Sequence, residues 1–434
     1  VITLSRPGHL AALPPLSLYV HLPWCLQKCP YCDFNSHEFA PKTPAASAPQ
    51  GGASGLGRPG AGPFALKTPE ASALPESRYI DALIADLESS LPLIWGRRVH
   101  TIFIGGGTPS LFSPAGIDRL LADIRARLPL EAGCEITLEA NPGTFEKDRF
   151  KGFRDAGVNR LSIGVQSFDD AKLKALGRVH NSDQARAAIE EARSAFDTFN
   201  IDLMYALPGQ NLAQLQTDVQ QALAFKPPHL SLYHLTLEPN TRFATQPPRD
   251  LPDEDTAFDM LDHLIEATEA AGLRRYEVSA FAQPGHQCQH NLNYWQFGDY
   301  LGIGAGAHGK LSFPERIVRQ VRWREPATYM DKALQGQALS NEHDIPLDAR
   351  PFEYMLNSLR LRDGFELARF AERTGLTLAA IQRPLAEAEA KGLLERDLQR
   401  AWPTTRGLDF LSDLQAMFLP AEASQRNTLH VPHN

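Results

Sequence analysis

Long apolar runs are missing from this sequence. No stretch of about 18 apolar residues occurs, so no membrane-spanning helix is expected. The opening segment, VITLSRPGHLAALPPL, has a single Arg and no continuous apolar stretch, so it does not read as a signal peptide. A cytoplasmic location is the expectation. Basic charge is also in short supply. The net charge is −8 and the pI is near 6, which argues against a nucleic-acid or anionic-membrane partner. Cysteine is scarce: five in 434 residues are too few for a disulfide scaffold.

The few cysteines are not scattered, however. Three of the five fall within eight residues, and in a reducing compartment such a cluster reads as a metal or redox site. The hydrophobic fraction of 43% and charged fraction of 22% are ordinary for a globular enzyme. The length suggests two or three domains, although one α/β barrel can occupy more than half of it.

Residues 40–77 stand apart from their surroundings. Of these 38 residues, 26 are Pro, Gly, Ala or Ser, so the segment has little to bury and is expected to be a disordered insertion in a loop. Regular structure should resume with RYIDALIADLESSL, where Ile80, Leu83, Ile84, Leu87 and Leu91 fall at helical spacing. Strands are expected at 17–23, 99–105, 134–140, 160–166, 200–206 and 229–237, separated by segments of helical length. Six βα units in series imply α/β architecture with a parallel sheet, open or closed as a partial barrel.

Polar and Gly-rich motifs follow the first five of these strands: HLPWCLQKCPYC, GGGTPS, EANPGT, QSF and ALPGQ. Parallel α/β folds place their chemistry at the C-terminal ends of strands, so the five loops should share one rim. Residues 276–310 read as irregular. Beyond about 340 come short helices, then LERDLQRAWPTTRG as a small β-ribbon and a last helix, the pattern of a compact winged-helix module. Residues 341–434 carry 14 acidic and 11 basic side chains, which disfavours DNA binding by that module.

Cys25-x3-Cys29-x2-Cys32 carries the strongest chemical signal. Three thiolates can ligate three irons of a cubane [4Fe–4S] cluster and leave the fourth open to chelate an amine and a carboxylate. A zinc site would need a fourth ligand, for which His21 or His37 could serve. Cys134 opens a strand and reads as core. His21, His180 and His308 read as structural histidines near the rim.

The cysteine pattern at the end of the first strand resembles that of the radical S-adenosylmethionine (SAM) superfamily. GGGTPS at 105–110 matches its Gly-rich loop, where backbone approaches the methionine end of SAM. Within the superfamily, YVHLPWC, YCDF, GGGTPS, EANPGT, SIGVQSF, LGRVH and DLMYALPGQ resemble the family that contains the coproporphyrinogen III oxidase HemN and the haem chaperone HemW. The resemblance implies SAM contacts from Tyr19, Gly106, Gly107, Thr108, Glu139, Gln166, Arg178 and Asp202. It implies a cluster on Cys25, Cys29 and Cys32. It also implies four segments: an N-terminal extension (1–15), a partial (β/α)6 radical SAM barrel (16–280), a barrel-closing region (281–340) and a HemN-type C-terminal domain (341–434).

Two features divide the family's branches. The oxidase branch has a further cysteine two positions past the third cluster cysteine, where this sequence has Phe34, and it has a longer segment before the first strand. His290-Asn291-Leu292-Asn293-Tyr294-Trp295 matches an HNxxYW motif of the chaperone branch. His290 or Tyr294 could ligate haem with Trp295 stacking on it, and Cys288 is a weaker candidate; a loop closing the barrel mouth is the other reading. GIGAGAHG (302–309) lacks the spacing of a dinucleotide fingerprint and reads as a Gly-rich strand or turn. The resemblance implies a haem chaperone that holds a [4Fe–4S] cluster and SAM and passes haem to an acceptor protein. Radical decarboxylation of coproporphyrinogen III is the alternative, and chemistry on RNA a remote third.

Overall fold

The computed structural model describes residues 7–39, 74–143 and 149–420. Most of the predicted insertion, residues 40–73, lies outside the described residues; its last positions do not, because the first long helix begins at Glu76. Six strands run in chain order: β1 (Leu16–Leu22), β2 (Val99–Gly106), β3 (Leu130–Ala140), β4 (Arg160–Gln166), β5 (Phe199–Tyr205) and β6 (His229–His234). Each pairs with the next in parallel. Helices α1 (Glu76–Ile94), α2 (Pro114–Arg127), α3 (Arg149–Ala156), α4 (Ser182–Ala195) and α5 (Leu212–Ala224) link them. Asn181 and Asn211 open α4 and α5 with capping boxes closed by Gln184 and Gln214, which fixes where each helix leaves its loop.

The six strands form one open sheet with six more. After α6 (Glu254–Ala270) come β7 (Arg274–Arg275) and β8 (Ala280–Ala282), then α7 (Gln289–Trp295), β9 (Asp299–Ile303), β10 (His308–Ser312), β11 (Ile317–Arg322) and β12 (Leu339–Asp344). The order is β12-β11-β10-β9-β1-β2-β3-β4-β5-β6-β8-β7. Residues 276–310, expected to be irregular, therefore contain a helix and strands. Strand β9 is parallel to β1 and extends the sheet at that edge, and β10 to β12 continue it antiparallel. Strands of the segment 281–340 thus extend the barrel sheet, and among the described residues no ladder joins its two ends.

Alternation along the strands sorts the two faces. Leu18, Val20, Ile102, Ile104, Leu138, Ile163 and Ile201 share one apolar core with Ile80, Leu83, Leu120, Ile189 and Val219 of the helices. Many of the intervening residues are polar and satisfy one another across strands, with Phe103 an aromatic exception among them. Thr101 Oγ1 donates to Ser17 Oγ at 2.7 Å, Ser162 Oγ to Asp202 Oδ2 at 3.1 Å, and Asn200 Nδ2 to Asp202 Oδ1 at 2.7 Å. His229 continues the chain, bonding Asn200 Oδ1 at 2.7 Å and the Tyr276 hydroxyl at 2.8 Å. The concave face of the sheet is thus a column of paired polar groups, the arrangement that buried polar atoms require.

The C-terminal part has its own core. Helices α8 (Arg350–Ser358), α9 (Leu367–Thr374) and α10 (Gln382–Ala390) pack with a three-stranded sheet of β13 (Phe365–Glu366), β14 (Leu394–Arg396) and β15 (Arg400–Pro403). Tyr354, Phe365, Phe370 and Leu385 centre this core. Leu10 also enters it, and Gly8 N–H donates to Gly375 O at 2.8 Å. Residues 7–10, part of the expected N-terminal extension (1–15), therefore pack on the C-terminal module. Among the described residues no helix is long and apolar enough to cross a membrane.

Candidate cluster and cofactor site

Four of the five predicted loops meet at one cavity of about 380 Å³ at the C-terminal ends of the strands, whereas no residue of ALPGQ (206–210) lines it. Cys25, Cys29 and Cys32 line it, together with Gly106, Gly107, Thr108, Glu139, Gln166, Arg178 and Asp202. The Gly-rich turn after β2 is tied to the cysteine loop: Gly107 N–H donates to Leu22 O at 2.8 Å and Thr108 N–H to Trp24 O at 2.7 Å. These contacts need glycine. A Cβ on Gly107 would lie 2.6 Å from Trp24 O, and Gly106 has φ +116° with the His21 ring where its Cβ would stand.

Each of the three thiols has a polar neighbour. Thr108 Oγ1 donates to Cys25 Sγ at 3.4 Å, Arg178 Nη1 to Cys29 Sγ at 3.6 Å, and Ser36 Oγ lies 3.7 Å from Cys32 Sγ. Such bonds orient ligands and tune a sulfur-bound metal centre. Burial pushes the Cys25 thiol up to about 11, against the opposing effect of the Thr108 bond. Burial raises Cys32 in the same direction. Metal binding must therefore displace protons at these sulfurs.

The donor set suits a cluster better than a single ion. Among the described residues no three His, Cys, Asp or Glu side chains converge to hold one metal ion. A zinc site completed by His21 or His37 lacks that convergence, and both rings have other partners: His21 Nε2 bonds Asn35 O at 3.0 Å, and His37 Nε2 bonds Asn35 Oδ1 at 3.3 Å. Three thiols around a shared cavity, backed by hydrogen-bond donors, fit a cubane with one open iron.

The floor and wall fit a zwitterionic ligand. Glu139 Oε2 accepts from Gly106 N–H at 3.1 Å. Burial, and then the charge of Asp202, lifts the Glu139 carboxyl to about 7. Arg178 is anchored by Gly164 O at 2.7 Å and by Asn141 Oδ1. Asn141 Nδ2 in turn donates to Thr108 Oγ1 at 2.8 Å. Two buried polar atoms here, Gln166 Oε1 and Arg178 Nε, have no hydrogen-bond partner among the described residues. Gln166 also has φ +69°, a conformation unfavourable for a side chain of its length. Unpaired buried atoms and local strain together mark a place shaped for a ligand.

Tyr19 is not in the cavity lining. Its hydroxyl donates to His21 Nδ1 at 2.9 Å, and its ring stacks on Phe103 one layer below. The HNxxYW residues are farther still. His290, Tyr294 and Trp295 lie on α7, at the opposite end of the strands. The His290 ring is buried, bonds Thr101 Oγ1 at 2.8 Å through Nδ1, and packs on Phe103 at 5.1 Å. Burial, aided by Arg160, pushes its pKa down to about 3. Tyr294 packs against Tyr300, and the Arg360 guanidinium covers Trp295 at 4.3 Å. Cys288 is buried beside Glu135. None of these four side chains reaches the cavity. Conversely, Asn141, Ser36, Met204, Tyr233 and His234 sit at the site without having been singled out. Asn141 could have been found inside EANPGT; the others had no local signal.

Known proteins resemble the chain in sequence and in fold. The Radical SAM superfamily profile matches residues 19–222, and the HemN C-terminal domain profile matches residues 345–410. The "Heme chaperone HemW" of Escherichia coli is 46% identical over 94% of this chain and 100% of its own length. The Bacillus subtilis protein of the same name is 31% identical over 90% of this chain and 96% of its own. Among solved structures, the E. coli coproporphyrinogen III oxidase HemN, described as a radical SAM enzyme, superposes with a TM-score of 0.75 at 24% identity. It covers 94% of this chain and 91% of its own, a likeness of fold.

Proposed function

The chain belongs to the HemW family of radical SAM proteins, and we propose that it is a haem chaperone that binds haem and delivers it to an acceptor protein. Cys25, Cys29 and Cys32 hold a [4Fe–4S] cluster. That cluster supplies an open iron for the amine and carboxylate of SAM. Glu139 and Asp202 offer acceptors to the amine and ribose of SAM, and Arg178 a donor to its carboxylate. The thiols must stay reduced to do this, which supports a cytoplasmic setting.

Phe34 carries the reading. It stands where the oxidase branch has a cysteine, and it lines the cavity with 60% of its surface exposed. An apolar ring in that place supplies contact area, not a thiol. The full-length likeness to relatives named as haem chaperones supports the same conclusion. The second reading, radical decarboxylation of coproporphyrinogen III, is favoured by one observation: seven of the eight expected SAM contacts, all but Tyr19, line the cavity with the three cysteines. The test is an anaerobic haem titration of the cluster-loaded protein, followed by mixing with an apo-haem protein. Saturable binding and transfer are expected. Absence of saturable binding would refute the chaperone reading.

A further inference from the structure

Large apolar side chains that stand open to water are costly in number and informative when they gather. Four of them gather here. Phe34 (60% exposed), Val179 (50%), Tyr233 (42%) and Leu26 (39%) all line the mouth of the cluster cavity. They come from three separate segments: the cysteine loop, the turn after Gly177, and the end of β6. No chain connectivity requires them to meet.

One imidazole accompanies them. His234 closes β6 and is the single histidine among the described residues that line this cavity. The residue is exposed, its ring is set edge-on to Tyr205 at 5.2 Å, and neither ring nitrogen has a hydrogen-bond partner among the described residues. The buried histidines of the barrel, by contrast, are engaged: His21 by Tyr19 and Asn35, His180 by Val165 O, His229 by Asn200 and Tyr276, and His290 by Thr101.

We propose that haem lies across the mouth of the cluster cavity, with His234 as an axial ligand to its iron and Phe34, Val179, Tyr233 and Leu26 against the porphyrin. This placement rests on the haem-chaperone reading above. An aromatic and aliphatic rim suits a flat apolar macrocycle, and a free imidazole nitrogen suits its iron. Its partial desolvation in the cavity mouth shifts the His234 imidazole toward the neutral form, the form that ligates iron. The HNxxYW helix offers no such geometry, because His290 could reach iron only if α7 left the sheet. Haem in this place covers the SAM pocket, so cargo and cofactor occupy one column above the cluster.

The test titrates the cluster-loaded protein with haem and reads the Soret band and the dissociation constant. H234A should shift the Soret maximum and raise the dissociation constant at least tenfold. V179E should raise the dissociation constant and leave the Soret maximum in place, because it alters the rim and not the ligand. Both positions are at the surface of the cavity, and far-UV circular dichroism with iron content confirms folding. A wild-type spectrum and affinity in H234A overturns the placement, as does loss of haem in a folded H290A with H234A unaffected. Failure of the wild-type protein to bind haem at all refutes the chaperone reading itself.

Discussion

Replacing Gly107 by Ala tests whether the Gly-rich turn shapes the cofactor site. The new Cβ would lie 2.6 Å from Trp24 O and 2.8 Å from Pro23 C, where ordinary contact begins at 3.4 Å, a shortfall of about 0.8 Å. The obstructing atoms are backbone and cannot rotate away. They are also held from the other side: His37 N–H donates to Pro23 O at 2.7 Å and Phe39 N–H to Cys25 O at 2.8 Å. Relief must therefore move the cysteine loop. Forcing a methyl group into packed structure costs about 1–3 kcal/mol, or roughly 5- to 150-fold in the population of the undistorted loop. Iron and sulfide per chain after reconstitution, and SAM affinity by calorimetry, should both fall, with a lower urea midpoint. Gly133 is the control. Nothing lies within 4 Å of its hypothetical Cβ, so G133A should load normally and gain up to about 1 kcal/mol. A G107A protein that loads iron and binds SAM like wild type would refute the reasoning.

Three further outcomes follow from the same geometry. Because burial and Asp202 hold the Glu139 proton up to about 7, the carboxylate form that attracts the amine of SAM appears only as pH rises through that value. SAM affinity should increase from about pH 6 to about pH 8, and E139Q should abolish the slope; a flat wild-type calorimetric profile would contradict the assignment. Arg322 and Asp86 form an ion pair with 0% and 1% of their side chains exposed, which the Tyr329 hydroxyl joins at 2.9 Å. R322M leaves Asp86 without its cation and should cost about 3–5 kcal/mol in urea unfolding; a loss below about 1 kcal/mol would contradict that. Alkylation of the native metal-free protein should label Cys25, Cys29 and Cys32 ahead of Cys134 and Cys288, which are buried with thiols pushed up to about 12. Peptide mass spectrometry reads this, and cluster loading should protect the first three.

The six parallel strands were legible because their outward faces carry Leu, Ile and Val against amphipathic helices. Their ends shifted little, although β3 begins at Leu130, four residues before the expected start. The rim was legible because function places Gly and polar residues after parallel strands. Helix α7 was not legible. Its inward residues meet a polar surface: Asn293 Nδ2 donates to Ser17 Oγ at 2.8 Å, and His290 N–H donates to Glu135 Oε1 at 3.1 Å. Hydrophobic periodicity cannot report a helix whose buried face is polar. Tyr19 shows a second limit. Alternation gives the face of the sheet on which a side chain stands, but not its height along the strand relative to the cavity. The docking of Leu10 and Gly8 on the C-terminal module was invisible for another reason: the partner Gly375 is far along the chain, and no local pattern encodes it. Phe34 stood out by its place after the cysteines, but its meeting with Val179, Tyr233 and His234 was invisible in the same way, since those three look ordinary in their own segments.

The most direct test places haem and coproporphyrinogen III in competition for one account. Cluster-loaded protein is incubated anaerobically with SAM, a low-potential reductant and coproporphyrinogen III, and carbon dioxide release is measured beside a haem titration of the same preparation. The account predicts saturable, stoichiometric haem binding and no carbon dioxide above the background without protein. Carbon dioxide release at catalytic turnover from a preparation that shows no saturable haem binding would contradict it.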